Sequence, residues 1–287
     1  MQLGVFTQWI KAETIEELAE RIQQFGLQCV VLDSYPGLDI DLDHPQPAIC
    51  ERIRSAFARV GVTIAAVGGY SNLVHPDPAT RQAIHTRFRG LLKLCAAIGS
   101  PMLCSEAGTY HPSSNWDWDP ANATEQAFNE LRESLQPLLA AAREFNVMLG
   151  LEPYVMTILY TPERAARLMQ ELASPSVCLV CDPAGMLNRV TLAAQQPFLS
   201  DALRLIAPYV GLVHVEDCRP DPTGHFLWLA AGQGLIDYPL FMDSIVQSGY
   251  QGPFILEHLA EADLSTAREY VLTHWRQACL RSGKEAL

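Results

Sequence analysis

Eight short apolar segments alternate with eight longer amphipathic segments along the chain, and this alternation constrains the fold more than any other feature. The apolar segments predict β-strands at 3–7, 28–33, 62–67, 101–105, 147–151, 177–181, 210–215 and 253–257. The amphipathic segments predict helices near 14–25, 47–60, 80–98, 123–145, 162–172, 191–207, 238–248 and 262–280. Most predicted strands are continuously apolar, which is typical of parallel strands that are covered on both faces.

Eight consecutive strand–helix units without a linker favour one closed parallel barrel. The chain has 287 residues, and a (β/α)8 barrel typically spans about 250 residues. We therefore expect a single TIM-barrel domain over residues 1–287. A doubly wound open sheet is the alternative, but the glycine-rich fingerprint that such sheets carry after their first strand is missing.

The composition argues against nucleic-acid and membrane partners. The formal net charge is -12, no cluster of Lys and Arg is present, and no apolar stretch reaches the roughly 18 residues needed to span a bilayer. The first seven residues lack the basic region and apolar core of a signal peptide, so we expect a cytoplasmic protein. The eight cysteines are scattered through apolar segments and are predicted to be reduced core residues.

Polar residues stand where each of the last four predicted strands ends. Glu152, Asp182, His214 and Glu257 occupy these positions, and strand alternation places apolar or small residues beneath each of them on the inner face. Proline follows both Glu152 and Asp182, which ends the ladder with the carboxylate at the rim. Three carboxylates at one rim would repel each other unless a cation lies among them. Carboxylate oxygens with one imidazole suit Mn²⁺ best, with Mg²⁺, Co²⁺ or Zn²⁺ as alternatives.

Two long connections also leave the carboxyl ends of predicted strands, where a barrel carries its active site. They span residues 68–78 and 106–122 and are predicted to form the walls and lid of the site. Candidates for substrate binding are His75, Glu106 and Trp116 in these connections and Arg219 after the seventh predicted strand. His75 reads equally as part of a helix-entry turn, Glu106 as a cap and Arg219 as a loop ion pair. His258 follows an inward-facing residue and is predicted to point away from the cavity.

The chain resembles the xylose-isomerase-like barrels, also called the sugar phosphate isomerase/epimerase family, to which metal-dependent apurinic endonucleases belong. The resemblance runs from Gly4 to the last helix. It is carried by Asn72-Leu73-Val74-His75-Pro76-Asp77, Glu106-Ala107-Gly108-Thr109, Leu151-Glu152-Pro153, Asp182-Pro183-Ala184, His214-Val215-Glu216-Asp217, Gly232-Gln233-Gly234 with Asp237-Tyr238, and Ile255-Leu256-Glu257. It implies that Glu152, Asp182, His214 and Glu257 are the metal ligands. It also implies that Glu152 and Glu257 move the proton.

Three positions depart from the family pattern. Many members carry His or Asn where this chain has Gly185, Lys where it has Glu216, and Glu where it has Gln233. The lost His and Lys would contact substrate oxygens, so the usual substrate does not carry over.

The predicted function is that of a divalent-metal-dependent isomerase or epimerase of a small sugar or polyol-derived carbonyl compound. A carboxylate removes a proton next to the carbonyl to give an enediolate, and a second carboxylate returns it. A sugar or inosose dehydratase is the neighbouring alternative, because the same enediolate can expel a hydroxyl group. An apurinic endonuclease-like enzyme and a non-catalytic sugar-binding relative are weaker alternatives. No phosphate-binding loop is visible, which favours an unphosphorylated substrate, and barrels of this kind often form homo-oligomers.

Overall fold

The computed structural model describes residues 1–284, so residues 285–287 of the predicted domain lie outside the described residues. Within that range, ten strands are found: β1 (Gln2–Phe6), β2 (Cys29–Leu32), β3 (Thr63–Gly68), β4 (Met102–Glu106), β5 (Met148–Glu152), β6 (Val177–Cys181), β7 (Val210–Val215), β8 (Asp217–Pro220), β9 (Phe226–Leu229) and β10 (Pro253–Leu256). The helices are α1 (Ile15–Gln24), α2 (Pro47–Arg59), α3 (Pro78–Ile98), α4 (Glu125–Phe145), α5 (Pro162–Leu172), α6 (Arg189–Ala193), α7 (Gln195–Ile206), α8 (Tyr238–Ser248) and α9 (Leu264–Arg281).

Eight of these strands close into a parallel barrel in the order β1-β10-β7-β6-β5-β4-β3-β2. The predicted (β/α)8 fold is therefore confirmed, and the open sheet is excluded. Side-chain caps fix several helix starts, because the oxygens of Thr161 and Asp237 accept backbone N–H groups of the first turns of α5 and α8. Gly99 and Gly249 end α3 and α8 with φ of 78° and 77°, a conformation that glycine adopts without strain.

The barrel interior follows from strand alternation. One set of strand residues packs against the surrounding helices, and the other set fills the inside of the barrel. Met148, Cys178, Val180, Leu212 and Ile255 belong to the inner set, as predicted for the residues beneath the four rim side chains. All eight cysteines are buried and free, which confirms their prediction as reduced core residues.

The helix predicted over 191–207 is split into α6 and α7 at Ala194, whose φ and ψ are -125° and 38°. Pro197 accounts for the break, because a proline ring clashes with the carbonyl four residues earlier in a continuous helix. Restarting the helix at Gln195 puts Pro197 in a first turn, where its missing N–H costs nothing.

An antiparallel hairpin of β8 and β9 follows β7 and was not predicted. It extends the loop after β7 over the carboxyl end of the barrel. Among residues 1–284, no helix has the combined length and apolar character that crossing a membrane requires.

Candidate active site

A cavity of about 540 Å³ opens at the carboxyl ends of the barrel strands. Six carboxylic side chains of the described residues line it: Asp33, Glu106, Glu152, Asp182, Glu216 and Glu257. Among the described residues that line the cavity, Arg87 is the one arginine or lysine. Trp116, Tyr154 and Trp228 form aromatic walls. A strongly acidic, partly aromatic pocket at this end of a barrel is a typical place for catalysis.

Glu152 and Glu257 of this lining converge with the fully buried His214. Each offers one ligand atom, and these atoms all lie within 4.8 Å of one another. Nδ1 of His214 is 3.0 Å from Oε1 of Glu257 and 3.4 Å from Oε2 of Glu152. Glu152, His214 and Glu257 are 6%, 0% and 8% exposed, so water provides little compensation for their charges.

Electrostatics couple the three groups. Burial lowers the pKa of His214, but the charges of Glu257 and Glu152 outweigh burial and leave that pKa well above its usual value. Burial raises the pKa of Glu257, yet the contact with His214 outweighs burial and holds the pKa of this carboxyl below its usual value. The two neighbouring carboxylates therefore favour a positive charge at the point where they meet His214.

The donor set fits a divalent cation. Neither ring nitrogen of His214 makes a hydrogen bond of acceptable geometry with any described residue, although both are buried. The short Nδ1 contacts to the two glutamates are thus close approaches without good N–H alignment. An imidazole nitrogen and two carboxylate oxygens around one point are ligands that Mn²⁺, Mg²⁺, Co²⁺ and Zn²⁺ accept.

Asp182 lines the same cavity but does not belong to this three-residue group. Its Oδ1 accepts the Ala184 N–H at 2.9 Å, and its Oδ2 accepts the Gly185 N–H at 2.7 Å. Glu216 lies close enough to Asp182 for the two carboxyl groups to change each other's pKa. Burial, followed by the charges of neighbouring carboxylates, raises the pKa of both. The role of Asp182 as a fourth metal ligand stays a prediction.

Tyr70 and Phe6 contact two members of this group. The Tyr70 hydroxyl donates to Oε2 of Glu152 at 2.9 Å, and the Phe6 ring packs edge-on against His214 with centroids 5.2 Å apart. Sequence reasoning missed both residues, as well as Asp33 on the neighbouring wall. Applying strand alternation to the first four strands would have found Phe6 and Asp33, because Phe6 belongs to the inner set and Asp33 comes two residues after the inward-facing Val31.

Residues 45–272 match a family described as xylose isomerase-like TIM barrel. The chain belongs to this family. A ketose 3-epimerase from Arthrobacter globiformis is 21% identical over 275 residues, which are 95% of this chain and 87% of the relative. An L-ribulose 3-epimerase structure has a TM-score of 0.74 and 16% identity, covering 99% of this chain and 97% of that one. A xylose isomerase-like protein from Mycobacterium smegmatis in complex with magnesium has a TM-score of 0.66 and 18% identity, covering 92% and 88%.

Two of the predicted substrate-binding residues line the cavity of this xylose isomerase-like barrel. Glu106 and Trp116 both face it, and Trp116 is half exposed. Burial, together with the charges of Glu152 and Glu257, raises the pKa of Glu106 well above its usual value, against the effect of a hydrogen bond with Trp116. Burial and the two neighbouring carboxylates thus disfavour the charged form of Glu106.

His75 and Arg219 are not among the described residues that line the cavity, so their placement differs from the prediction. The Nδ1 atom of His75 accepts the Asp77 N–H at 3.1 Å, and Asp77 caps α3, so His75 belongs to the helix-entry turn. Arg219 is paired with Leu227 in the β8–β9 hairpin, and both face solvent. Because side chains alternate along β9, the neighbouring Trp228 faces the cavity instead.

The prediction that His258 points away from the cavity is wrong. His258 has a positive φ of 47°, which departs from the strand geometry on which the prediction depended. The turned backbone brings its side chain to the cavity. There the imidazole contacts Glu216, the residue that departs from the family pattern after His214.

Proposed function

We propose that this protein is a divalent-metal-dependent epimerase or isomerase of a small, unphosphorylated sugar with a carbonyl group, a ketose being the preferred class. The observation that carries the proposal is the pair of buried carboxylates, Glu152 and Glu257, on either side of His214 at the mouth of the barrel. The name of the Arthrobacter relative, ketose 3-epimerase, supports the same reaction class.

Glu152 and Glu257 are the proposed acid and base. One carboxylate removes the proton from the carbon next to the carbonyl, and the other delivers a proton to the opposite face of that carbon. Return to the same carbon inverts its configuration, whereas return to the neighbouring carbon isomerises the sugar. Tyr70 orients Glu152 through the hydrogen bond to Oε2.

The three-residue group, with Asp182 as the proposed fourth ligand, would hold the cation. When bound, the cation supplies positive charge that polarises the substrate carbonyl and offsets the negative charge that develops as the proton leaves. Mn²⁺ is our preferred ion, with Mg²⁺, Co²⁺ and Zn²⁺ as alternatives. Magnesium in the Mycobacterium smegmatis structure supports a divalent ion in this fold.

The cavity lining supports an uncharged substrate. Six carboxylic side chains and one exposed arginine of the described residues surround the cavity, and this excess of acid repels a phosphate group. The same sign of charge argues against a nucleic-acid backbone as the substrate. Trp116, Tyr154 and Trp228 offer apolar ring faces to the C–H surfaces of a sugar.

The test is deuterium exchange followed by NMR. Protein loaded with Mn²⁺ is incubated in D₂O with D-tagatose, D-psicose, D-fructose and L-ribulose, and we expect solvent deuterium next to the carbonyl of at least one sugar. Glu152→Gln and Glu257→Gln should each lose more than 100-fold of the exchange rate, which is within the usual contribution of a positioned acid or base. Glu163→Gln, in the exposed first turn of α5, is the matched control.

Full exchange in either active-site variant would refute the acid/base assignment. Loss of water from the sugar, instead of a change in configuration, would identify the dehydratase alternative.

A further inference from the structure

His258 faces the cavity through an uncommon backbone conformation. Its φ of 47° lies in the left-handed region, which a residue with a Cβ atom enters at an energetic cost. The ring contacts two indoles, with centroids 5.7 Å from Trp9 and 6.0 Å from Trp228. The side chain keeps 38% of its surface exposed. Packing therefore fixes the ring at the cavity wall without burying it.

Glu216 determines how the ring is presented. Its carboxylate contacts Nδ1 of His258, and its own side chain is only 2% exposed, so the acceptor is fixed inside the barrel. Among residues 1–284, no donor or acceptor forms a hydrogen bond with Nε2 of His258. A carboxylate on one ring nitrogen fixes the orientation and the tautomer of an imidazole. Nε2 is thus the ring nitrogen left for a ligand.

We propose that His258 is a substrate-binding residue whose Nε2 hydrogen-bonds a hydroxyl group of the sugar, and that Glu216 is the positioning residue that orients the ring. The inference rests on the proposed function and assigns a specific contact within that site. A hydroxyl is the matching partner because it both donates and accepts hydrogen bonds. An anionic group is disfavoured, because Glu216 and Glu257 lie beside the ring.

A second cation is the competing occupant. Glu216, Glu257 and His258 also offer ligand atoms that lie within 4.8 Å of one another. However, Nδ1 of His258 is already engaged by Glu216, and Glu257 is shared with the group around His214. The sugar-hydroxyl contact uses the nitrogen that remains, so we favour it, and the test separates the two occupants.

The experiment measures binding and turnover on the Mn²⁺-loaded protein. Calorimetric titration with galactitol, a polyol without a carbonyl group, reports the hydroxyl contact without any reaction. Exchange of D-tagatose in D₂O gives KM and kcat, and metal analysis gives the number of bound ions. The variants are His258→Ala, His258→Gln, Glu216→Gln and Glu216→Ala, with His44→Ala as the control on an exposed segment.

We expect His258→Ala to weaken galactitol binding about ten-fold, which corresponds to about 1.4 kcal/mol. KM for D-tagatose should rise by a similar factor, kcat should fall less than three-fold, and the bound metal should stay unchanged. His258→Gln places an amide near the position of Nε2 and should recover part of the affinity. Glu216→Gln keeps an acceptor for Nδ1 and should remain close to wild type, whereas Glu216→Ala should match His258→Ala.

The double variant of Glu216→Ala and His258→Ala should bind galactitol no more weakly than His258→Ala alone, because Glu216 acts through the ring. Unchanged galactitol affinity in His258→Ala would overturn the inference, as would absence of galactitol binding by the wild type. Loss of one of two bound ions in His258→Ala would show a metal ligand and overturn it as well. Galactitol binding that depends on His258, without exchange of any sugar, would support this contact and refute the proposed epimerase.

Discussion

The hydroxyl of Tyr70 donates a 2.9 Å hydrogen bond to Oε2 of Glu152, the carboxylate that also lies 3.4 Å from Nδ1 of His214. Tyr70→Phe removes this donor, so Oε2 of the buried Glu152 loses its hydrogen bond. A hydrogen bond to a charged group contributes about 1.5–3 kcal/mol. We therefore expect kcat for deuterium exchange to fall about ten-fold, with KM changed less than two-fold.

Tyr209→Phe is the matched control for this change. Tyr209 immediately precedes β7 and so lies at the amino end of the barrel, opposite the cavity. Wild-type kcat in Tyr70→Phe would contradict the proposed orientation of Glu152.

Metal binding should stabilise the fold through His214. An ion that binds the native state alone adds RT ln(1 + [L]/Kd), about 2.7 kcal/mol at a concentration of 100 Kd. We expect Mn²⁺ to raise the Tm of the chelator-treated wild type and to leave the Tm of His214→Ala unchanged. His44→Ala, whose side chain is 88% exposed, should respond like wild type. An equal Mn²⁺-induced shift in His214→Ala and wild type would show that the ion binds elsewhere.

The sequence was sufficient to predict the barrel and the inward direction of the rim residues. Both follow from periodicity, because alternate strand residues must face opposite sides wherever the ladder is regular. Glu152 is the last residue of β5, His214 is the last but one of β7 and Glu257 directly follows β10. Their convergence follows from these strands belonging to one closed sheet.

What the sequence did not predict depends on departures from regular geometry. His258 turns towards the cavity because its φ is 47°, and alternation does not apply to such a residue. Arg219 lies in the β8–β9 hairpin and faces solvent. The sequence did not predict this hairpin, because its strands are too short to show a clear alternation of polar and apolar residues. The carboxylate of Asp182 is engaged by the N–H groups of its own loop, a local contact that ligand spacing along the chain does not reveal.

Asp33 should make stability depend on pH. Burial raises its pKa from 3.8 to about 6, against hydrogen bonds from Thr7 and Gln8 that lower it. The folded protein therefore holds this proton more tightly than the unfolded chain. The stabilisation is fully present below about pH 4 and is lost as the pH rises through about 6. A shift of about two pKa units corresponds to at most about 3 kcal/mol.

Asp33→Asn removes this titration while keeping an oxygen that can accept from Thr7. Between pH 4 and 6.5, the wild type should lose this contribution to its unfolding free energy, whereas Asp33→Asn should not. The unfolding free energy of the variant should therefore rise relative to that of wild type by about 1–3 kcal/mol. Urea unfolding of the metal-free proteins at several pH values measures it. A difference that stays constant over this range would contradict the raised pKa.

Gly185 should tolerate no side chain without displacing Asp182. A Cβ atom at this position would lie 2.7 Å from Oδ2 of Asp182, the oxygen that accepts the Gly185 N–H at 2.7 Å. The carboxylate has little freedom to retreat, because Oδ1 is held by the Ala184 N–H. We expect Gly185→Ala to cost about 1–3 kcal/mol of stability and to lower Mn²⁺ affinity if Asp182 is a ligand. Calorimetric titration with Mn²⁺ beside urea unfolding separates the two effects, and wild-type values in both would contradict the close contact between Gly185 and Asp182.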